Sequence, residues 1–281
     1  MDLETFMNTC KFYIIPQLIT IPLVKLIKSV CSNELIKNIL LEIIATAELC
    51  AINYEITAAA QEIGPMMFAV STFIVMTVWL IRWGGIEACP NVILECMLIE
   101  RNIRYMGILI IFAEMIGGYL AFKSMHVIWE CFHQFKRSSV GCSTMFRKNS
   151  VLHAFIFEWL LTITHRLAIY TIAYLKEYLK LKFIPTVQAL VETIFRTAVS
   201  GFVIIGSFNN PVLGACVRYG CSEIDNYESL LVYWIAPFCG SLHALYTLHL
   251  CKQFVTYLVF KSPTRDEKVI LKLNDVGYNS L

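Results

Sequence analysis

Two short stretches of this sequence set a proline beside a residue able to cap a helix, and three carboxylates stand inside apolar runs. The later stretch is Asn210-Pro211-Val212, preceded by Gly206-Ser207-Phe208-Asn209. Asn is a favoured N-cap. Pro is favoured at the first helical position, where its missing N–H would be unpaired anyway. Asn210 is therefore predicted to cap, and Pro211 to begin, a short helix running to about Tyr219. The earlier stretch is Cys89-Pro90-Asn91, preceded by Gly84-Gly85-Ile86-Glu87-Ala88. There Pro90 is predicted to begin a helix running to about Glu100, but a thiol is a weak donor and Cys89 a poor cap. The carboxylates are Glu42, Glu114 and Glu158. Such groups are costly in an apolar run, and are usually functional or paired. Glu192 and Arg196 stand one helical turn apart and can pair with each other, or line a path. His153, His165, His243 and His249 are expected at helix ends or packed. No Ser/His/Asp, paired-carboxylate or metal-ligand constellation falls on a common face. No catalytic residue and no metal site is assigned, and an enzyme is the least favoured class.

The elements that must position these residues are apolar. Of 281 residues, 57% are hydrophobic and 16% charged, against about 45–50% and about 25% in an average soluble domain. The mean hydropathy is +0.63. A bilayer core needs about 20 apolar residues per spanning helix, so the chain has room for six or seven and little else. The fold class is all-α and polytopic: one membrane domain over 1–260 and a polar cytoplasmic tail over 261–281. A net charge of +2 with no basic block argues against nucleic acid as a partner. The eleven cysteines are scattered along apolar stretches without zinc spacing, and are taken as small apolar packing residues.

Apolar runs cover 12–30, 35–58, 66–83, 106–128, 151–175, 183–205 and 230–254. The first is interrupted by Pro16, Pro22, Lys25 and Lys28, and either spans or lies in the interface. A short turn is expected at 61–65. The runs repeat one rhythm over about 35–130 and about 150–258: span, span, polar break with Asn and Pro, apolar stub too short to span, span. Interrupted segments at matching places in two halves point to a site at the bilayer midplane. Non-helical backbone is tolerated at that depth only where it lines a cavity or is buried in protein. Two stubs meeting there would aim two positive dipole ends at the centre. That arrangement repels cations and lets a neutral solute pass.

These residues resemble the aquaporin superfamily (major intrinsic proteins), whose two Asn-Pro-Ala boxes cap half-helices that meet in the pore. Trp234-Ile235-Ala236-Pro237-Phe238-Cys239-Gly240 is similar to the family's last-helix pattern. Leu41-Glu42-Ile43-Ile44-Ala45-Thr46 is similar to its first-helix pattern, with Ala45 in place of Gly. Ala113-Glu114-Met115-Ile116-Gly117 is similar to its third-helix pattern, and Glu158 holds the matching place in the fourth helix. Glu48-Leu49-Cys50, Val232-Tyr233-Trp234 and Cys221 resemble the superaquaporin branch, the unorthodox eleven/twelve type. The likeness covers roughly 35–254. It implies a six-helix bundle with two re-entrant half-helices from an inverted repeat, plus an extra N-terminal apolar segment. It also implies that Glu42 and Glu158 hydrogen-bond the backbone of the two pore loops, with Glu114 facing loop backbone too.

By register the boxes are Cys89-Pro90-Asn91 and Asn210-Pro211-Val212, so Cys89 replaces the first pore Asn. The Arg that ordinarily follows the second box is Leu213. The remaining filter positions fall at Ala198, at Ser207, and at Phe68 or Ala69. Such a filter is wide and rather apolar, which favours small neutral solutes such as glycerol or hydrogen peroxide beside water. The Cys89 thiol is expected to make the path sensitive to thiol reagents.

The resemblance puts Arg82, Arg101, Arg104, Lys176, Lys180 and Lys182 on the cytoplasmic side, in keeping with the positive-inside rule. Lys136, Arg137, Arg147 and Lys148 in the loop 132–150 run against it. The expectation is a passive channel without cofactor, in a lipid bilayer, as a homotetramer, in intracellular membranes (endoplasmic reticulum) or the plasma membrane. Two alternatives stay open: a non-conducting structural or regulatory membrane protein, and a proton-coupled transporter using Glu42, Glu158 and Arg196.

Overall fold

In the computed structural model, residues 3–99, 104–131, 151–179, 183–202, 208–218 and 226–261 are described, and their regular structure is all helical. The helices are α1 (Leu3–Val30), α2 (Glu34–Arg82), α3 (Pro90–Ile99), α4 (Arg104–Cys131), α5 (Val151–Leu179), α6 (Ile184–Phe202), α7 (Pro211–Arg218), α8 (Asn226–Leu230) and α9 (Ala236–Lys261). A π-turn, Leu231–Ile235, joins α8 to α9. The loop 132–150, Ser207, Cys221 and the tail beyond 261 lie outside the described residues.

Two expectations change. The first run is not broken by its prolines, because α1 continues through Pro16 and Pro22. No non-helical turn divides α2, whose helical backbone runs without a gap for 49 residues. Yet α2 is not straight. Residues 34 apart on a straight helix would stand about 50 Å apart. Instead Trp79 Nε1 donates to Ala45 O at 3.3 Å, and Arg82 Nη1 donates to Glu48 at 2.9 and 3.0 Å. The chain folds back into two antiparallel arms, and the midpoints of these pairs fall within 61–65. Gly64 and Pro65 stand there, the residue types that end one helix and begin the next. The second helix therefore needs no extended residue before it.

Only Cys31–Asn33 separates α1 from α2, and Asn33 caps α2 by accepting from Leu35 N at 3.0 Å and Ile36 N at 3.3 Å. So α1 doubles back along the first arm. Its inward stripe is Pro16, Thr20, Val24 and Ile27, at helical spacing, while Leu18, Ile19, Leu26 and Val30 stay exposed. Thr20 Oγ1 donates to Glu48, and Arg82 Nη2 donates to Thr20 Oγ1 at 2.8 Å. This cluster ties α1 to both arms of α2. Arg82, counted above among the loop charges, is thus held in a pair with a fully buried carboxylate.

Matching glycines set the closest helix approaches. A Cβ on Gly117 of α4 would lie 2.6 Å from Ile43 O of α2, and one on Gly240 of α9 would lie 2.8 Å from Trp159 O of α5. Small residues let backbones approach in this way within membranes. The π-turn serves Pro237, which has no N–H to continue the ladder. In its place Ala236 N bonds back to Leu231 O, five residues earlier.

Polarity is distributed inside out. Glu48, Glu55, Glu95, Glu114 and Glu158 are buried, whereas Phe112, Ile116, Tyr119 and Leu120 of α4 and Leu242, Tyr246 and Leu250 of α9 are exposed. An apolar exterior around a polar interior suits a lipid surround. Among the described residues, Tyr105–Ile128 and Asn226–Gln253 are by themselves long and apolar enough to cross a membrane. In α5 the buried Glu158 and Arg166 interrupt the apolar run.

The Glu48 pair generates a stability prediction. Arg82→Met leaves a carboxylate buried without its partner and should cost about 3–5 kcal/mol. The double variant Arg82→Met/Glu48→Leu should recover most of that loss. Thermal unfolding of the purified protein in detergent measures both, and no recovery in the double variant would contradict the pairing.

Candidate functional site at the junction of two short helices

The short helices α3 and α7 start beside each other. Asn210 caps α7: its Oδ1 accepts from Val212 N at 3.0 Å and Leu213 N at 3.4 Å. Its amide nitrogen donates to Ala88 O at 2.7 Å, across the junction. In the opposite direction, Asn91 Nδ2 donates to Asn209 O at 3.4 Å and to Ser241 Oγ of α9 at 2.6 Å. Each half thus sends a side-chain amide to the carbonyl just before the other half's first capping position. Asn91 is fully buried and turned toward α9. Cys89 Sγ lies against Asn91 Oδ1.

The backbone is strained at matching places. Ala88 has φ 49° and Asn209 has φ 50°, in the left-handed region that non-glycine residues seldom enter. Such residues persist only where the surroundings over-determine them, and here buried carboxylates do so. Cys89 N donates to Glu114 Oε1 at 2.7 Å. Phe208 N and Asn209 N donate to Glu158 Oε1 at 3.2 and 2.9 Å. Glu42 is hydrogen-bonded to the backbone of Glu87 and Ala88. Carboxylates from α2, α4 and α5 therefore satisfy the amides of two non-helical segments that meet in the middle of the bundle.

A cavity of ≈ 100 Å³ opens beside the junction, enough for several waters or one small solute. Cys89, Asn209, Asn210 and Leu213 line its junction end. Trp79, Leu80 and Ile86 form an apolar wall, and His165, Arg166, Gln188 and Glu192 form a polar one.

Of the remaining sequence candidates, Pro90 and Pro211 are the buried first residues of α3 and α7. Val212 packs toward Gly118 of α4. Phe68 packs against Ile52, Ile56 and Val75, and Ala69 is half-buried beside it; neither lines the cavity. Ala198 belongs to α6, its side chain being outside the described residues, as is Ser207.

Sequence reasoning passed over Arg166 and Glu95. Arg166 Nε donates to Glu95 at 3.0 and 3.1 Å, Nη2 donates to it as well, and Tyr170 OH donates to Glu95 Oε2. Both charges are at most 4% exposed, so the forked pair clamps α3 to α5 with the geometry that suits guanidinium and carboxylate. The available signal was an acid inside one apolar run and a base inside another. Glu192 meets His165 Nε2 at 2.8 Å and lines the cavity; the side chain of Arg196, its other expected partner, is outside the described residues.

No protein-family model matches the chain. It is 24% identical over 241 residues to Aquaporin-11 of Milnesium tardigradum, a match covering 80% of this chain and 85% of that protein.

The carboxylate clamp is testable through stability. Glu158→Leu strands two buried backbone N–H groups, each worth about 1–3 kcal/mol, and should lower the Tm in detergent sharply. Glu158→Gln keeps an acceptor oxygen and should lower it less. Equal losses for the two variants would argue against the clamp.

Proposed function

We propose that this chain is a membrane channel of the aquaporin superfamily, in its superaquaporin branch, passing water and small neutral solutes such as glycerol or hydrogen peroxide. The observation that carries the reading is Asn210, which caps α7 while its amide crosses to Ala88 O beside a cavity. The likeness to Aquaporin-11 supports it. In this reading α3 and α7 are re-entrant half-helices whose positive dipole ends face the midplane. They disfavour cations there without hindering a neutral solute.

Asn210 orients the solute, and Cys89 lines the centre of the path. Leu213, with Ala198, Ser207 and Phe68 or Ala69, makes the outer filter, which lacks an Arg. Glu42, Glu114 and Glu158 hold the two pore loops. The α2 arms, α4, α5, α6 and the α8–α9 rod supply six spans, with α1 as an additional apolar helix. Conduction needs no cofactor. A homotetramer with one path per protomer, in intracellular membranes such as the endoplasmic reticulum, is the assembly and address that the branch suggests.

Stopped-flow light scattering on proteoliposomes tests this reading with water and glycerol gradients. Asn210→Asp retains the capping oxygen but loses the donor to Ala88 O and adds charge. It should lower flux by about tenfold or more, the effect of ~1.4 kcal/mol on a barrier. Wild-type flux equal to that of empty liposomes, with the protein folded, would instead favour a non-conducting structural role. Thiol reagents should block the wild type and spare Cys89→Ala; block that persists in the variant would exclude Cys89 as the reactive group.

A further inference from the structure

The polar wall of the cavity has a structure of its own. His165 and Arg166 are neighbours on α5, while Gln188 and Glu192 stand one turn apart on α6. The His165–Glu192 contact at 2.8 Å bridges the two helices at the cavity wall. The His165 ring is held edge-on by Phe195 at 5.3 Å, so the bridge has a fixed position. Behind it, Glu95 engages Nε and Nη2 of Arg166. His165, Arg166, Gln188 and Glu192 thus share the cavity lining with the apolar Trp79, Leu80 and Ile86 and with Glu87.

We propose that the His165–Glu192 bridge, backed by Arg166, is a second selectivity element of the path, lining the same cavity as Leu213 but built from α5 and α6. The inference rests on the channel reading above and names the residues that discriminate between solutes within it. Three features support it. The bridge reaches from α5 to α6 at the edge of a cavity of ≈ 100 Å³, where one side chain decides what fits. His165 and Arg166 are buried and Glu192 is half-buried, so a passing solute exchanges hydrogen bonds with groups largely withdrawn from bulk water. Leu213 offers no hydrogen bond, and the wall adds polar groups of α5 and α6 to those of Asn209 and Asn210 at the junction. The ligand class is a small neutral solute carrying both a donor and an acceptor, with the ring of His165 setting the upper size.

The test compares glycerol and water permeability in proteoliposomes for wild type, His165→Ala and Glu192→Gln. Removing the ring opens the constriction, so His165→Ala should raise the glycerol-to-water permeability ratio on the order of tenfold, the scale of one steric contact in a selective site. Glu192→Gln, nearly isosteric, should shift the ratio in the same direction by less, since it loosens the bridge and keeps the ring. An unchanged ratio in both variants, with wild type conducting, would overturn this proposal and leave the channel reading standing. Absence of flux in wild type would overturn both. Aggregation of both variants in size-exclusion chromatography would make the pair a structural brace and would overturn the selectivity role.

Discussion

Non-helical backbone in the middle of an apolar bundle has no water to satisfy it, and the fold is organised around that constraint. The segments before α3 and α7 expose amides that no helix can pair. Glu114 takes Cys89 N, Glu158 takes Phe208 N and Asn209 N, and Glu42 engages the backbone at Glu87 and Ala88. These acids come from different helices, so both segments are held only when α2, α4 and α5 are packed together. The close approach at Gly117 brings α4 against α2, and that at Gly240 brings α9 against α5. The left-handed residues Ala88 and Asn209 are then stabilised by an environment that no local interaction could provide.

A second tier of buried charge fixes the outer parts of the bundle. Arg166 and Glu95 join α5 to α3, Arg82 and Glu48 join the arms of α2 under α1, and His165 and Glu192 join α5 to α6. The first two pairs place ionic groups where lipid would reject them singly, and the third sets a carboxylate against an imidazole. The interior is therefore polar and specifically matched, while the exterior is apolar and tolerant.

What was legible in the sequence follows from how local each signal is. Pro90 and Pro211 begin α3 and α7 because cap and first-turn chemistry acts over a few residues. The apolar runs marked most helices because bilayer thickness demands them. The join inside α2 was harder. Gly64-Pro65 signalled a reversal, but whether a non-helical residue intervenes depends on how the arms pack. Arg166 was missed because its meaning lies in a partner 71 residues away. Glu192 offered a local partner, Arg196, or a place along a path; its contact with His165 on another helix had no local signal. The filter positions at Ala198 and Ser207 fall outside the described residues.

The two halves differ in who does the capping. Asn210 closes its own helix with one side-chain atom and crosses the junction with another. At the matching place in the first half, Cys89 does neither, and its amide is held from α4 while Asn91 makes the crossing. Drift under mutation should therefore be unequal between the two copies. Position 89 has been released from architectural duty by a helix elsewhere in its own repeat and is free to explore other side chains at the centre. Position 210 carries two obligations at once and has little room to change.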